Sequence, residues 1–234
     1  MKEVLVIMTA YKRNYFKEQI EAIKSQEGVL IKKIILWQNE NHVDTDFLRE
    51  YGVEIIKSDI NIKYHGRFTL PLLFDDIEYV AIFDDDVIPA KGWLQNAIRC
   101  TDEHNCISGQ NGRTYNHNTK LYEGVGDSGY CSTDTKVDLC GHVWVFRSEW
   151  TKYLWLQKQI SYETGEDIQF CMACRYHANI PTYCVKQEPH NTGQLKLNYG
   201  GDEHATYRKM SNHNELRSHI IEEWFKRINE KNNL

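Results

Sequence analysis

The stretch Tyr79-Val80-Ala81-Ile82-Phe83-Asp84-Asp85-Asp86-Val87 places five largely apolar residues directly before three consecutive carboxylates. A short, continuous apolar run is typical of a strand buried on both faces, as in parallel sheets. Three adjacent aspartates inside a sheet would repel one another and lose hydration, so we expect them where the strand leaves the sheet. Ligands of open α/β sheets bind at that carboxyl edge. The clustered oxygens there suit Mg²⁺ or Mn²⁺, and the alternative interpretation is a solvated acidic turn.

The composition is that of an ordinary folded protein. The chain has 234 residues, of which 41% are hydrophobic and 26% charged, and this length predicts a single domain. A formal net charge of −5 gives no electrostatic reason to expect a nucleic-acid partner. The apolar part of the N-terminus is too short for a signal peptide, and no apolar run approaches a membrane span. Seven cysteines, an odd number at irregular spacing, predict reduced, buried thiols in a cytoplasmic protein.

Strands and helices alternate in the first part of the chain. The hydrophobic pattern predicts strands at 4–8, 31–37, 53–56 and 79–83, helices at 15–26 and 47–51, and a helical turn within 61–74. This alternation is typical of βαβ units and a parallel sheet. We therefore expect residues 1–88 to form a Rossmann-like nucleotide-binding half of an α/β fold. That half has no glycine-rich phosphate loop, so metal and side chains would hold any phosphates.

Residues 89–234 are predicted to complete the same domain as an acceptor-binding half. Helices are expected at 92–100, 150–157, 165–176 and 213–228, and strands at 137–146 and, as the last one, at 181–185. The polar segment 186–211 is rich in Gly, Asn and His, which predicts a flexible tail or lid.

The predicted strand over 137–146 has an interruption at Gly141, where another backbone or a ligand would come close. Its alternation places Leu139 and Val145 on one face, and His142 and Trp144 on the other.

Four segments, in this order, resemble glycosyltransferases of the GT-A fold, most closely those of the exostosin-like type, and the resemblance spans nearly the whole chain. They are Thr9-Ala10-Tyr11-Lys12-Arg13, Trp37-Gln38-Asn39, Arg67-Phe68 with the aspartate run, and Gly165-Glu166-Asp167-Ile168. The aspartate run looks like the DxD-type motif of this superfamily. The resemblance implies a mixed, mainly parallel central sheet and metal-dependent transfer of a sugar from a UDP-sugar donor to a hydroxyl of a glycan or glycoconjugate acceptor.

The resemblance also implies a site for Mn²⁺ or Mg²⁺. Asp86 would bind the metal together with Asp84, which would also face ribose or sugar hydroxyls, and Asp85 would assist. Many GT-A enzymes complete this site with a histidine from the C-terminal loop. His190 is the preferred candidate here and His204 the alternative, although the exostosin-like pattern does not require such a ligand.

The donor nucleotide would lie against the first two segments. Tyr11 and Asn39 would stack on and hydrogen-bond the uracil, with Thr9 and Arg13 in the same segment as Tyr11. A core ring is the alternative for Tyr11. Arg67 would clamp a phosphate or the sugar through two parallel hydrogen bonds, and its alternative is an exposed surface arginine.

The acidic pair Glu166 and Asp167 is the predicted catalytic group. Asp167 would be the general base of an inverting enzyme, or would stabilise positive charge near the anomeric carbon in a retaining one. Glu166 would bind acceptor hydroxyls. The alternative for both is a helix cap, since carboxylates are favoured at helix N-termini.

Other functions are weighed against the same residues. A nucleotidyltransferase that makes nucleotide sugars needs glycines in the loop after the first strand, and Ala10 to Asn14 has none. An aspartate phosphatase needs its carboxylates on the first strand, and here they follow the fourth. A non-catalytic nucleotide-sugar-binding module is the alternative that these residues leave open.

Cys171 and Cys174 form a C-x-x-C, but without a second pair at metal spacing we expect both in the core. The absence of an anchor favours a bacterial or viral source.

Overall fold

The computed structural model of the chain describes residues 1–125, 131–187 and 202–233, and the backbone of residues 195–198. The strands are β1 (Lys2–Ala10), β2 (Val29–Asn39), β3 (Glu54–Ser58), β4 (Tyr79–Phe83), β5 (Val87–Pro89), β6 (Ile107–Asn116), β7 (Leu121–Gly124), β8 (Thr135–Val137), β9 (Leu139–Arg147), β10 (Thr182–Cys184) and β11 (Leu195–Asn198). The helices are α1 (Phe16–Lys24), α2 (Trp93–His104), α3 (Lys152–Trp155), α4 (Glu166–Ala178), α5 (Thr206–Lys209) and α6 (His213–Asn232). Short 3₁₀ turns lie at Asp46–Tyr51, His65–Phe68, Leu70–Leu73 and Ser148–Thr151.

The central sheet is mixed and mainly parallel. Strands β3, β2, β1 and β4 are parallel neighbours in that order. The antiparallel strand β9 joins β4 to β6, and β6 runs parallel to β10. β8 pairs with β10 and is the edge strand on that side of the sheet. β7 pairs with β6, and β5 pairs with β11 in a separate two-stranded sheet. The α/β class and the parallel βαβ start predicted from the sequence are confirmed.

The apolar run before the aspartates is the central strand β4, and all five of its residues are buried. It lies between β1 and β9, so its backbone groups are paired on both sides. The pairing ends at Phe83, after which the Asp84 amide donates to the His142 carbonyl oxygen at 2.9 Å. The three aspartates therefore start where the sheet ends, as the sequence predicted.

Two apolar cores lie on the two sides of the sheet, because the alternating side chains of β1 and β4 point in opposite directions. Helices α1 and α2 cover one face, where Phe16 and Trp93 are fully buried. Helices α4 and α6 cover the other, where Phe170 and Trp224 are packed. All seven cysteines are free and buried, including both members of the C-x-x-C on α4, which confirms their predicted place in the core.

Two details of the second half differ from the sequence prediction. The single strand expected at 137–146 is divided into β8 and β9 at Asp138. Leu139 packs on the side of Trp144, away from Val145, so its predicted face was wrong. The reason is an irregularity beside Gly141: the φ of His142 is +66°, and the pairing of β6 with β9 shifts register there. This bulge resets the alternation of side chains.

The segment after β10 also differs from the prediction. β10 was expected to be the last strand, which is wrong, because β11 follows it and pairs with β5 next to the aspartates. Within the described part of 186–211, helix α5 follows β11 and leads into α6. None of the helices that the structure describes combines the length and the apolar character needed to cross a bilayer.

The start of α4 against α6 depends on Gly165, whose φ is +81° and whose added Cβ would lie 2.6 Å from Ile220 Cδ1. We expect Gly165→Ala to lower the free energy of unfolding by about 2–5 kcal/mol, the left-handed backbone costing about 1–2 and the overpacking about 1–3. Gly52→Ala is the matched control, since its φ is +72° and no atom lies within 4 Å of the added Cβ. Urea denaturation measures both, and equal losses would show that the α4–α6 contact is not tight.

Candidate active site

A pocket of about 1090 Å³ opens at the carboxyl edge of the sheet, in front of the three aspartates. The ends of β1 and β2 form one side, and the start of α4 with the α5–α6 segment forms the other. The pocket is lined by every predicted site residue that the structure describes: Thr9, Tyr11, Arg13, Asn39, Arg67, Asp84, Asp85, Asp86, Glu166 and Asp167. His190 lies outside the described residues, and the alternative, His204, also lines the pocket.

Arg67 joins the two acidic motifs. Its Nη1 donates to Asp84 Oδ1, and its Nη2 donates to Glu166 Oε1 at 2.6 Å. The residue is only 4% exposed, so the alternative of a surface arginine is wrong. Its guanidinium lies 4.7 Å from the ring centroid of Trp144, which gives the charge an aromatic face in place of water. The fork geometry of arginine lets one side chain hold both carboxylates at once.

A second arginine, Arg13, holds the aspartates from the other side. Its Nη1 lies 2.6 Å from Asp85 Oδ1 and 3.0 Å from Asp86 Oδ2. Its Nε and Nη2 donate to the two oxygens of Asp202 at 2.7 and 2.8 Å. Burial raises the pKa of Asp85 to about 6, although Arg13 opposes this effect. Arg13 lowers the pKa of Asp202 below its ordinary value. Arg13 thus ties the aspartate motif to the segment before α5.

Asp84, Asp86 and His142 form a group of three ligand atoms that lie within 4.8 Å of one another. Asp86 is 4% exposed, and its Oδ1 has no hydrogen-bond partner among the described residues. His142 Nδ1 is likewise unpartnered and lies 3.9 Å from that oxygen, beyond hydrogen-bond distance. Burial alone would lower the pKa of His142, but Asp86 and Asp84 raise it above its ordinary value.

These atoms fit a divalent metal. Carboxylates suit Mg²⁺ and Mn²⁺, and an imidazole nitrogen favours the transition metal of the two. The two orphaned atoms would gain a partner if a cation lay between them. Sequence reasoning missed His142 as a ligand because the bulge that aims it at Asp86 interrupts the strand alternation. The available signal was the predicted interruption at the adjacent Gly141.

Glu166 and Asp167 open α4 and are 5% and 7% exposed. The N-cap of this helix is Gly165, and no side chain caps it. Asp167 accepts one backbone hydrogen bond, from Ile168 N at 2.9 Å, but its main partner is Arg217 on α6. Arg217 donates to both of its oxygens, at 2.8 and 2.7 Å. The helix-cap alternative alone does not describe this pair, because Glu166 is paired with the buried Arg67 and Asp167 with the half-buried Arg217.

The predicted uracil end of the pocket is built from β1 and β2. Thr9 Oγ1 lies 3.4 Å from the Phe83 carbonyl oxygen, and the Tyr11 ring packs edge-on against His42 with centroids 4.8 Å apart. The Asn39 amide donates to Asn61 Oδ1 and to the Lys63 carbonyl at 2.9 and 3.1 Å. Asn39 therefore shapes the loop that borders the pocket, while Tyr11 lines the pocket itself.

The other cluster of metal-type ligands in the described part of the chain is Cys100, His104 and Asp134. Both oxygens of Asp134 accept from Arg99, at 2.8 and 3.0 Å, and Oδ1 also accepts from the Lys186 amide. A guanidinium already neutralises this carboxylate and would repel a cation, so the cluster is an ion-pair site.

Comparisons with known proteins bear on the fold. No protein-family profile matches the chain, and no curated protein sequence matches it. A crystal structure of S. aureus TarS aligns with a TM-score of 0.55 and 19% identity, covering 81% of this chain and 37% of that one. The structure of S. aureus TarS 1–349 aligns with a TM-score of 0.56 and 19% identity, covering 80% and 60%. The chain thus spans less than two thirds of either TarS chain.

The fold shared with TarS is of the GT-A type, so the predicted GT-A fold class is confirmed. At this level of identity the likeness concerns the fold. It does not distinguish the exostosin-like type from other proteins of the GT-A fold.

Arg67→Met should destabilise the protein strongly and in a pH-dependent way. The change leaves the buried carboxylate of Glu166 and the half-buried carboxylate of Asp84 without their partner, and breaking a buried pair costs about 3–5 kcal/mol. Burial already raises the pKa of both carboxyls, and losing Arg67 raises it further. The loss in free energy of unfolding is therefore full at pH values above the pKa values of Asp84 and Glu166 in the folded variant. It becomes smaller at lower pH, where protonation neutralises the two carboxyls.

Urea denaturation at pH 8 and pH 5 measures this difference. Arg147→Met is the control, because Arg147 pairs with Glu78 and Asp102 at the surface, where the loss is about 0–1 kcal/mol at either pH. A loss for Arg67→Met that is small, or equal at both pH values, would contradict the buried bridge.

Proposed function

We propose that this protein is a metal-dependent glycosyltransferase that moves a sugar from a UDP-sugar to a hydroxyl of a glycan or glycoconjugate. The observation that carries the proposal is the bridge in which Arg67 binds Asp84 of the aspartate motif and Glu166 of the acidic pair. Sugar transfer needs a group that stabilises a departing diphosphate beside a group that accepts a proton. The bridge holds candidates for both in one pocket.

The donor would lie across the ends of β1, β2 and β4. Asp84, Asp86 and His142 are the proposed ligands of Mn²⁺, which when bound would neutralise charge on the departing diphosphate. Tyr11 is the proposed platform for the uracil. Arg67 keeps a buried Nε without a partner among the described residues, which is a further donor for a phosphate or sugar oxygen. Residues 1–88 would thus supply most of the donor site, as the sequence analysis expected.

The acceptor would lie on the side of α4 and α6. Its hydroxyl proton passes to a carboxylate of the acidic pair, and the oxygen forms a bond to the anomeric carbon. The bond between that carbon and the diphosphate breaks, and its electron pair leaves with the diphosphate. Such a step requires the base within hydrogen-bond reach of the hydroxyl, and both Glu166 and Asp167 line the pocket.

The test is release of UDP from a panel of UDP-sugars, with Mn²⁺ and with EDTA. We expect Mn²⁺-dependent release from at least one sugar, and loss of that release in Asp86→Asn and His142→Ala, because both changes remove a ligand. His219→Gln is the control, since His219 is an exposed histidine on α6 outside the pocket.

Release that survives EDTA, or that is unchanged in His142→Ala, would contradict the metal site. Formation of pyrophosphate from UTP and a sugar 1-phosphate, with no release from any UDP-sugar, would identify a nucleotidyltransferase instead.

A further inference from the structure

The two neighbouring carboxylates of the acidic pair have different hydrogen-bond partners. Asp167 Oδ1 accepts from Arg217 Nη1 and from the Ile168 amide, at 2.8 and 2.9 Å, and its Oδ2 accepts from Arg217 Nη2 at 2.7 Å. Glu166 uses only Oε1, which accepts from Arg67 at 2.6 Å. Its Oε2 accepts no hydrogen bond from the residues that the structure describes. One carboxylate is therefore fixed at both oxygens, and the other, which lines the pocket, is held at one oxygen only.

We propose that Arg217 is a positioning residue that divides the work of the pair, holding Asp167 as a fixed, ionised carboxylate and leaving Glu166 to accept the proton of the acceptor hydroxyl. This inference rests on the proposed function and goes beyond it. The sequence analysis expected the reverse, with Asp167 as the base and Glu166 as a neighbour that binds hydroxyls.

Arg217 is built to hold its position. Its guanidinium lies 5.5 Å from the ring centroid of Tyr122, and the Tyr122 hydroxyl donates to the Arg217 carbonyl at 2.8 Å. The side chain of Arg217 is 14% exposed and that of Asp167 is 9% exposed, so little water competes for the pair. Two parallel hydrogen bonds fix both the distance and the plane of the carboxylate, which a lysine cannot do.

The pKa shifts of Glu166 and Asp167 agree with these two separate roles. Burial raises the pKa of Glu166 to about 7, and the charge of Asp167 raises it in the same direction. Burial acts on Asp167 too, but Arg217 outweighs it and lowers the pKa of Asp167 below its ordinary value. A general base is most effective when its pKa is close to the working pH. The charged and titratable groups that face Glu166 are Arg67, Asp84, Asp167, Arg217 and Tyr64.

The proton step is then simple. The acceptor hydroxyl transfers its proton to Glu166 Oε2, and the freed electron pair of the oxygen forms the bond to the anomeric carbon. The pair of the broken bond leaves on the diphosphate oxygen, as in the proposed transfer. Asp167 stays ionised throughout, and its charge keeps Glu166 a strong enough base.

The decisive experiment follows the carboxyl carbons of Glu166 and Asp167 by ¹³C NMR in the metal-free protein, without any substrate. We expect Glu166 to titrate near pH 7 and Asp167 to titrate below the ordinary range of an aspartate. Arg217→Gln should raise the midpoint of Asp167 by about one to three pH units, because an opposite charge within a few ångströms is lost. Arg217→Lys should give a smaller rise, and Lys226→Gln, which removes one charge from the exposed side of the same helix, should give none.

The kinetic readout uses the acid limb of the pH–rate profile. Wild-type turnover should fall tenfold per pH unit below about pH 7, and Glu166→Gln should reduce turnover by about 10²- to 10⁴-fold with UDP affinity kept. Arg217→Gln should lower turnover and move the acid limb, with partial rescue by Arg217→Lys. Turnover that is flat down to pH 5, or a midpoint near 7 for Asp167 in place of Glu166, would overturn the assignment. Failure of the enzyme to bind UDP or turn over would refute the proposed function, while the NMR titration would still decide the roles of the two carboxyls.

Discussion

The pocket depends on a single guanidinium, that of Arg67, which is buried between Asp84 and Glu166. Its partner Glu166 lies 99 residues further along the chain, so the contact requires the turn before β4 and the start of α4 to be placed together. A carboxylate in this environment is costly unless a cation pairs with it, and a buried arginine is costly unless carboxylates pair with it. The two acidic motifs and the arginine are therefore stable only as a unit.

The same rule of pairing repeats around the pocket. Arg13 joins Asp85 and Asp86 to Asp202, and Arg217 joins Asp167 to α6. Tyr64, three residues before Arg67, hydrogen-bonds Thr206 at the start of α5. The links of Arg13 and Tyr64 join the first half of the chain to its last third, and the link of Arg217 joins α6 to the start of α4. Polar contacts thus hold the α5–α6 segment next to the aspartates. Ile220 and Trp224 pack the same segment against the apolar core.

Much of this could be predicted from the sequence because the signals were local. The run from Tyr79 to Asp86 defines both a buried strand and its end, so the place of the aspartates followed directly. The acidic start of α4 and the arginine before β4 stand in short, ordered motifs, and both line the pocket as expected.

The rest depended on contacts that no local pattern contains. His142 lies 3.9 Å from Asp86 at a bulge in β9, and the strand alternation read from the sequence gave it a face but no role in the site. Arg217 lies 50 residues after Asp167 in the chain. The hydrophobic spacing of α6 predicted which face of that helix packs on the core, but not that Arg217 would pair with Asp167. Arg67 could be interpreted as a phosphate clamp or as a surface residue, since the sequence did not show that the carboxylates of Asp84 and Glu166 would pair with it inside the protein.

We propose that the carboxylates paired with Arg67 and Arg13 form a metal-dependent site for a uridine diphosphate. Calorimetric titration of UDP into the purified protein, first with Mn²⁺ and then with EDTA, tests it most directly. We expect saturable binding of one UDP per chain with Mn²⁺ and loss of that binding in EDTA. Equal binding under both conditions, or none under either, would contradict it.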